Sequence, residues 1–254
     1  MLTITDLADH YQASRAELVA YLTRMVLRPD VAEELAQEAA LRLVTSGASI
    51  SGPDGVRPWL FRVGSRLAID HLRRHSTRRE DVLGTARARA EHHERFQAES
   101  RLLAGSPDVA LIAREHLAVC FACTLRHLPE QQAAMVLLVE VHDFPVREAA
   151  ALLDASFGQA KYWLQAGREA LRARFAATCA LVNKQGVCHQ CSELNRYFNG
   201  TPADPLEGTA RNLEARITLV RATRNDRLGR WHAMMMRLVD DLLGTPAPER
   251  PRPQ

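Results

Sequence analysis

The sequence lacks the features of a membrane or secreted protein. No stretch of its 254 residues reaches the roughly 18 consecutive apolar residues that a membrane-spanning helix needs. The first residues, MLTITDLADHYQASR, contain neither the basic start nor the apolar segment of a signal peptide. Apolar residues make up 46% and charged residues 25%, which is typical of folded rather than disordered chains. We therefore expect a soluble, cytoplasmic protein.

Catalytic motifs are also missing. The ten histidines show no HExxH or similar metal-hydrolase spacing, and the 13 glycines form no phosphate-binding loop. The sequence therefore predicts a protein that is not an enzyme. Its five cysteines, an odd number, argue against a disulfide framework and leave metal binding, redox sensing or simple burial as their roles.

Strand-like segments are nearly absent. Valine and isoleucine are scattered among Ala, Leu, Arg, Glu and Gln, the residues with high helix propensity. The pattern predicts an all-α fold with two small helical domains, at 1–83 and 106–178, and a helical C-terminal extension at 179–254. The segment 84–105 is polar and has few large apolar residues, so we expect a mobile or frayed linker there.

Capping and helix-breaking residues set the expected helix ends. Asp30 is expected to cap the second helix, with Glu33 in the reciprocal capping position, and this helix should end near Val44. A loop rich in glycine and serine then precedes a long helix from Pro58 to Arg79. Further helices are predicted at 107–127, 130–141, 146–153, 156–177 and 209–243.

The long helix is strongly basic. Residues 62–79 contain six arginines and a single acidic residue, Asp70. On a helical period one face carries an aromatic and three cations: Trp59, Arg62, Arg66 and Arg73. Such a face suits a nucleic-acid strand, because guanidinium groups neutralise phosphates and an indole stacks on a base. A solvated basic face and a buried tryptophan are the alternatives.

The helix before it carries an acidic ridge with an apolar neighbour. The residues that recur on one face are Glu34, Gln37, Glu38 and Leu41, beside a core face of Val31, Leu35 and Leu43. This ridge is suited to docking a basic partner helix, and an ordinary solvated face is the alternative.

The second domain contains the plan of a helix-turn-helix. A short helix is followed by a tight turn at Asp154-Ala155 and by a longer helix that Ser156 is expected to cap. The first turns of this longer helix present the side chains that would meet a major groove: Phe157, Gln159, Lys161 and Tyr162. Many helical hairpins share this spacing.

Four segments in one order resemble an extracytoplasmic-function sigma factor of bacterial RNA polymerase over residues 5–178. They are DVAEELAQEAALRL, PWLFRVGSRLAIDHLRR, LRHLPEQQAAMVLLVEV and EAAALLDASFGQAKYWLQAGREALR. The resemblance implies a subunit that binds the polymerase core and promoter DNA. It places polymerase binding on Glu34, Gln37 and Glu38, contact with the opened minus-ten strand on Arg62, Arg66, Asp70, His71, Arg73 and Arg74, and reading of the minus-thirty-five element on Ser156, Gln159 and Lys161. From the helix faces themselves we add Leu41 to the polymerase-binding residues, and Trp59, Arg78, Tyr162 and Arg168 to the DNA-binding residues.

The sequence departs from the family pattern at two points. It has Gly64-Ser65-Arg66 where the family commonly has Ala-Arg-Asn, so the strand contact of that asparagine is missing. It has Tyr162-Trp163 where the family commonly has Ser-Arg, so a phosphate or guanine contact is missing. A helix-turn-helix regulator acting without core polymerase and an anti-sigma-like interaction protein are the alternative functions. An anti-sigma factor is a further candidate partner.

The extension begins with a cysteine cluster. Cys188 and Cys191 flank a tight turn that directs two thiolates at one ion, and Cys179 supplies a third ligand of a predicted zinc site. His189 is the candidate fourth ligand. Cys120 and Cys123 offer a four-thiolate alternative, although burial in a helix is the favoured interpretation for them. Thiol redox sensing and cysteines without a special role stay as alternatives.

The extension ends in an amphipathic helix that needs a packing partner. Its apolar face comprises Leu213, Ile217, Val220, Leu228, Trp231, Met235, Leu238 and Leu242. We expect this face to pack on the two sigma domains. A clamp that regulates the protein and a contact with polymerase are the alternatives.

Overall fold

Helices account for the regular structure of the described part of the chain. The computed structural model describes residues 2–46, 50, 52–89, 94–179, 212–223, 234 and 237. In chain order the helices are α1 (Ile4–Val26), α2 (Pro29–Ser46), α3 (Val56–Arg89), α4 (Glu94–Ala104), α5 (Val109–Leu125), α6 (Glu130–Val136), α7 (Val146–Leu152), α8 (Phe157–Thr178) and α9 (Leu213–Ala222). A π-helical turn, Leu137–Val141, continues α6. No strand occurs in these residues, and the all-α prediction is confirmed.

The first region is the bundle of α1, α2 and α3. The core stripe of α2 is shifted from the predicted one: Val31 and Leu35 are half-buried, while the buried residues are Ala32, Ala36, Ala39 and Leu43. Because alanine is small, α2 can lie close to α1 along this stripe. The predicted cap of α2 is wrong. The helix begins at Pro29, a favoured first position, so Asp30 lies in its first turn and pairs with Arg28 instead.

The departure at Gly64-Ser65 serves the packing of this region. A Cβ atom at Gly64 would lie 3.0 Å from Leu18 Cδ1, so glycine allows α3 to approach α1. Ser65 is fully buried, and its Oγ lies 2.7 Å from the hydroxyl of Tyr21. These two residues therefore face the core, whereas Arg66 is exposed on the opposite side of α3.

The predicted frayed linker at 84–105 is wrong for the part that the structure describes. The helix α3 continues to Arg89, and α4 occupies 94–104. Ion pairs hold Glu99 of α4 in this segment. The Glu99 carboxylate binds Arg95 at 3.4 Å and Arg237, from the C-terminal extension, at 2.6 Å.

The second region consists of α5 to α8 and contains the predicted helix-turn-helix. Ser156 caps α8 as predicted, because its hydroxyl accepts a hydrogen bond from the Gln159 amide at 3.1 Å. Of the predicted core leucines, Leu152, Leu164 and Leu171 are buried and Leu153 is half-buried. The turn between α7 and α8 contains Asp154 in the left-handed conformation, with φ of 52°.

The described part of the extension packs on both regions. The helix α9 begins at Leu213, where the side chain of Asn212 accepts hydrogen bonds from two backbone amides. Leu213, Ile217 and Val220 are buried, as predicted, and join the common core. The other predicted apolar residues, Leu228, Trp231, Met235, Leu238 and Leu242, lie outside the described residues. None of the described helices is long and apolar enough to cross a membrane.

Candidate nucleic-acid and polymerase interfaces

The basic face of α3 lies on the surface. The core side of this helix is made by Leu60, Phe61, Ala68 and Leu72, each fully buried. The residues on the opposite side are exposed: Arg62, Arg66, Asp70, Arg73 and Arg74. Trp59 and His71 are half-buried: the Trp59 ring packs against the core and keeps part of its surface exposed to solvent. The side chain of Arg78 lies outside the described residues.

Two of the exposed arginines hold one carboxylate of the second region. Arg62 Nη2 donates to Asp154 Oδ1 at 2.7 Å, and Arg66 Nε donates to Asp154 Oδ2 at 3.0 Å. A second nitrogen of Arg66, Nη2, also binds Oδ2. The hydrogen bond from Arg66 and the charges of both arginines hold the pKa of Asp154 below its usual range. The predicted strand-binding face and the helix-turn-helix are thus joined in this structure.

The first turns of α8 present the predicted groove-reading side chains to solvent. Gln159 and Lys161 are exposed, Tyr162 is 66% exposed, and Trp163 is half-buried against the core. The ring of Phe157 lies under the Arg147 guanidinium, with 4.3 Å from Cζ to the ring centroid. A cation and an aromatic ring therefore adjoin at the start of the helix.

Arg168, further along α8, is half-buried and has a partner within the second region. Its guanidinium forms an ion pair with Glu140, a buried residue of the π-helical turn in the same region. This contact gives Arg168 an internal partner three turns along α8. Ser156, a second predicted DNA-binding residue, also has an internal partner, because its hydroxyl caps the helix. The structure therefore exposes Gln159, Lys161 and Tyr162 in the first turns of α8, whereas Arg168, two turns after Lys161, is half-buried and paired with Glu140.

The acidic ridge of α2 is exposed and has a wider apolar flank than predicted. Glu34 and Gln37 are exposed, and Glu38 is half-buried and pairs with Arg42 at 2.8 Å. Leu41 is 64% exposed, and Val44, which the sequence reasoning did not single out, is 49% exposed. Val44 follows Leu41 by three residues, a helical spacing that could have identified it. Two large apolar side chains beside an acidic ridge give this face of α2 a mixed apolar and acidic surface.

A partly buried polar network, missed by the sequence reasoning, also joins the two regions. The Arg57 guanidinium donates to both carboxylate oxygens of Glu17, at 2.9 and 2.7 Å, and to the backbone oxygen of His142 at 2.7 Å. His142 Nδ1 donates to the same carboxylate at 3.0 Å. The imidazole is fully buried between the rings of Tyr21 and Phe61, with centroids 5.4 and 5.2 Å away.

Burial and hydrogen bonding compete at the two titratable groups of this network. Burial by itself would raise the pKa of Glu17, but the hydrogen bonds from Arg57 and His142 lower it from 4.5 to about 2. Burial lowers the pKa of His142, against the opposing hydrogen bond and charge of Glu17. The contact is therefore strongest with Glu17 ionised and His142 neutral.

The extension bonds to both regions near this network. Arg24 of α1 donates to the backbone oxygen of Thr223 at 2.6 Å. Arg221 of α9 donates to the backbone oxygen of Glu140 at 2.9 Å and pairs with Asp143 at 3.2 Å. The end of α9 is thus hydrogen-bonded to the first region and to the second.

Two of the described cysteines, Cys120 and Cys179, lie beside a buried arginine. Arg216 Nη2 donates to Cys179 Sγ at 3.1 Å, and Nη1 lies 4.0 Å from Cys120 Sγ. The guanidinium also lies over the Phe175 ring, 4.0 Å from its centroid. Cys120 is buried, as favoured from the sequence, and Cys123 is half-buried.

The predicted zinc site lies largely outside the described residues. Cys188, Cys191 and His189 belong to the part of the chain that the structure does not describe, whereas Cys179 is described and buried. Within the described part, no three His, Cys, Asp or Glu side chains are grouped as a metal site. The four-thiolate alternative with Cys120 and Cys123 likewise requires cysteines beyond those residues.

Comparison with known proteins places both regions in sequence families. Residues 10–78 match Sigma-70 region 2, and residues 118–171 match Sigma-70, region 4. The chain is similar to the ECF RNA polymerase sigma factor SigX of Bacillus subtilis (strain 168), with 25% identity over 64% of this chain and 79% of SigX. It is also 28% identical to the ECF RNA polymerase sigma factor SigG of Mycobacterium tuberculosis (strain CDC 1551 / Oshkosh), over 66% of this chain and 48% of SigG. A shorter match, 46% identical over 28% of this chain, covers 23% of the probable ECF RNA polymerase sigma factor SigI of the same strain.

Proposed function

Because the chain belongs to the extracytoplasmic-function sigma factors, we propose that it directs core RNA polymerase to specific promoters and assists DNA opening. The protein is a transcription initiation factor and not an enzyme. The observation that carries the proposal is the order of its two matched regions, 10–78 and 118–171, each with an exposed surface suited to DNA. Region 2 presents the basic face of α3, and region 4 presents the first turns of α8.

The basic face of α3 contacts the opened minus-ten strand in this proposal. Arg62, Arg66 and Arg73 neutralise phosphates, which gives affinity without reading the sequence. Arg66 stands where the family commonly has an asparagine, and its exposed side chain replaces a base-reading amide with a phosphate-binding cation. Removing Arg73 should impair open-complex formation more than binding to closed duplex.

The first turns of α8 read the upstream duplex. Gln159 is suited to an adenine edge in the major groove, and Lys161 to a phosphate. Tyr162 presents an aromatic ring where the family commonly has a serine, and Trp163 stands where the family commonly has an arginine. Apolar contact of Tyr162 with a thymine methyl therefore takes the place of the charged contact of that arginine. Replacing Lys161 with alanine should weaken binding across sequences and reduce the salt slope by about one unit.

The acidic ridge of α2 docks on core polymerase. Exposed Glu34 and Gln37, together with Glu38, offer charge to a basic partner, and the exposed side chains of Leu41 and Val44 add apolar area. Reversing the charge of Glu34 and Glu38 should weaken assembly with polymerase while leaving helicity intact. The matched control reverses the charge of Glu94 and Glu169, which are exposed on other helices.

The experiment that tests the function is reconstitution of the full chain with purified core polymerase. A sigma factor binds the core, competes with the housekeeping sigma factor and starts transcription at selected promoters. A helix-turn-helix regulator that acts without the core would bind duplex DNA but not displace that factor. An anti-sigma-like protein would bind a sigma factor and direct no initiation. Either of these two results would contradict the proposal.

We also propose that the extension regulates this activity. The supporting observation is that α9 bonds to the first region through Arg24 and Thr223 and to the second through Arg221. A segment held by both regions can change how they are arranged. An anti-sigma factor would be a further regulator, acting in the cytoplasm on the same surfaces.

Zinc binding by the start of the extension remains a part of this proposal. Cys179, Cys188 and Cys191 are the candidate ligands, with His189 as the fourth, and ligation would fix the turn that leads to α9. The test measures the metal content of the full chain and of the variant with Cys188→Ser and Cys191→Ser. About one zinc per chain in the wild type and none in the variant would support the site. Absence of metal from both, without reversible thiol oxidation, would exclude both zinc binding and redox sensing.

A further inference from the structure

We propose that Arg62 and Arg66 form a phosphate-binding site for the DNA strand and that Asp154 occupies this site in the free sigma factor. The inference rests on the proposed role of α3 in DNA binding. It adds that the same two arginines are masked by a carboxylate of region 4, which DNA must displace.

The geometry of the contact is that of an anion site. Arg62 and Arg66 lie one turn apart on α3, so their guanidinium groups converge on one point of the surface. Each binds a different oxygen of the single Asp154 carboxylate. Guanidinium groups recognise carboxylate and phosphate oxygens by the same forked arrangement of donors. A backbone phosphate, with the same charge, therefore fits where the carboxylate lies.

The position of Asp154 makes the contact incompatible with promoter binding. This residue lies in the turn immediately before α8, the helix proposed to read the minus-thirty-five element. The two promoter elements are about 25 base pairs apart, which is roughly 85 Å of duplex at about 3.4 Å per base pair. The ion pairs hold the strand-binding face and the helix-turn-helix in direct contact at 2.7 Å. Binding of both elements by one protein must break them.

A second contact between the regions keeps the carboxylate in place. The network of Glu17, Arg57 and His142 fixes the loop after the π-helical turn against α1 and α3. Phe144, in this loop, packs on Phe61 with ring centroids 5.0 Å apart. This loop leads directly into α7 and the turn with Asp154. The contacts of the loop with α1 and α3 therefore position Asp154 beside the two arginines.

The test measures binding of a labelled single-stranded DNA 12-mer of mixed sequence to the full chain without polymerase. Phosphate contacts are independent of sequence, so this probe reports the masked site directly. The test variant is Asp154→Asn, because asparagine tolerates the left-handed backbone at this position. The matched control is Asp108→Asn, the same charge change at an exposed residue of the same region.

We expect Asp154→Asn to bind the strand about three- to tenfold more tightly than the wild type, since only half-exposed ion pairs keep the Asp154 carboxylate on Arg62 and Arg66. Asp108→Asn should bind like the wild type. The advantage of Asp154→Asn should shrink as salt rises from about 50 to 500 mM, because salt screens the ion pairs that it removes. In Asp154→Asn with Arg66→Ala the gain should be lost.

Equal strand affinity of Asp154→Asn and wild type at low salt would overturn the masking. If Arg66→Ala still weakens binding in that case, the proposed DNA-binding role of α3 stands and only the masking fails. If neither Arg62→Ala nor Arg66→Ala changes strand affinity, the DNA-binding role itself fails. Asp154→Gly, which also favours the left-handed backbone, replaces the asparagine variant if circular dichroism shows that the latter is unfolded.

Discussion

Two contacts join the same two regions, and they differ in burial. The network of Glu17, Arg57 and His142 encloses a fully buried imidazole between aromatic rings. The pairs of Asp154 with Arg62 and Arg66 are about half-exposed on both sides. Removing one partner from a buried charge network leaves the others without compensation, whereas exposed pairs contribute little to stability. The comparison indicates that the more buried contact holds the two regions together. The exposed contact is the one in which a DNA phosphate can replace the Asp154 carboxylate.

The largest effect is expected from breaking the partly buried network. Glu17→Ala should lower the free energy of unfolding by about 2–4 kcal/mol, because it leaves Arg57 and the buried His142 without their shared carboxylate. Urea denaturation of the full chain measures this. The control is Glu33→Ala, which removes the more exposed pair with Arg15 and should change stability by less than about 1 kcal/mol. Equal losses in the two variants would contradict the distinction.

The same network predicts a dependence of stability on pH. The pKa of Glu17 is lowered in the folded state from 4.5 to about 2, so its contribution is present above pH 4.5 and is lost as the pH falls toward 2. The pKa of His142 is lowered from 6.5, so its contribution is present above that value and is lost as the pH falls through the folded value. The difference in unfolding free energy between wild type and Glu17→Gln should therefore shrink below pH 4.5. A difference that stays constant down to pH 2 would argue against an ionised Glu17 in the interface.

The exposed contact should separate binding from stability. Asp154→Asn should change the free energy of unfolding by less than about 1 kcal/mol, because half-exposed ion pairs are screened by solvent. The same variant should still bind single-stranded DNA several-fold more tightly. A loss of stability as large as that of Glu17→Ala would show that the two contacts are not different in kind.

The smallest effect is expected at the extension. Arg221→Ala removes the hydrogen bond to the Glu140 backbone and the pair with Asp143, and local opening of α9 should become about fivefold faster. Hydrogen exchange of the α9 amides measures this. Arg172→Ala serves as the control, because it removes an exposed ion pair between Arg172 of α8 and Glu214 of α9. Exchange that is faster in the control than in Arg221→Ala would contradict the importance of the bond to Glu140.

The local sequence pattern predicted the helices and their exposed faces, but it did not predict contacts between residues that are distant in the sequence. The helix-turn-helix and the cap by Ser156 were predicted because they depend on residues within one or two helical turns. The exposed face of α3 followed from helical periodicity in the same way. The contact of Asp154 with Arg66 joins residues 88 positions apart, and nothing in either local segment identifies the partner.

Two local predictions failed for physical reasons that the structure makes plain. Proline at the first helical position moved the start of α2 two residues earlier, from Val31 to Pro29, so Asp30 became a first-turn residue rather than a cap. The segment 84–105 looked frayed because it has few apolar residues, but Glu99 is stabilised by charged partners, one of them Arg237. The cysteine cluster at Cys188 and Cys191 stays a prediction, because these residues lie outside the described part.

The central claim is that the two regions are joined in the free sigma factor and separate on a promoter. Energy transfer between fluorophores introduced by unnatural amino acids at Asp9 of α1 and Glu169 of α8, both exposed, tests it directly. The account predicts efficient transfer in the free protein and a large loss of transfer once polymerase and promoter DNA are bound, because the two elements lie roughly 85 Å apart. Transfer that stays as efficient in an active promoter complex as in the free protein would contradict it.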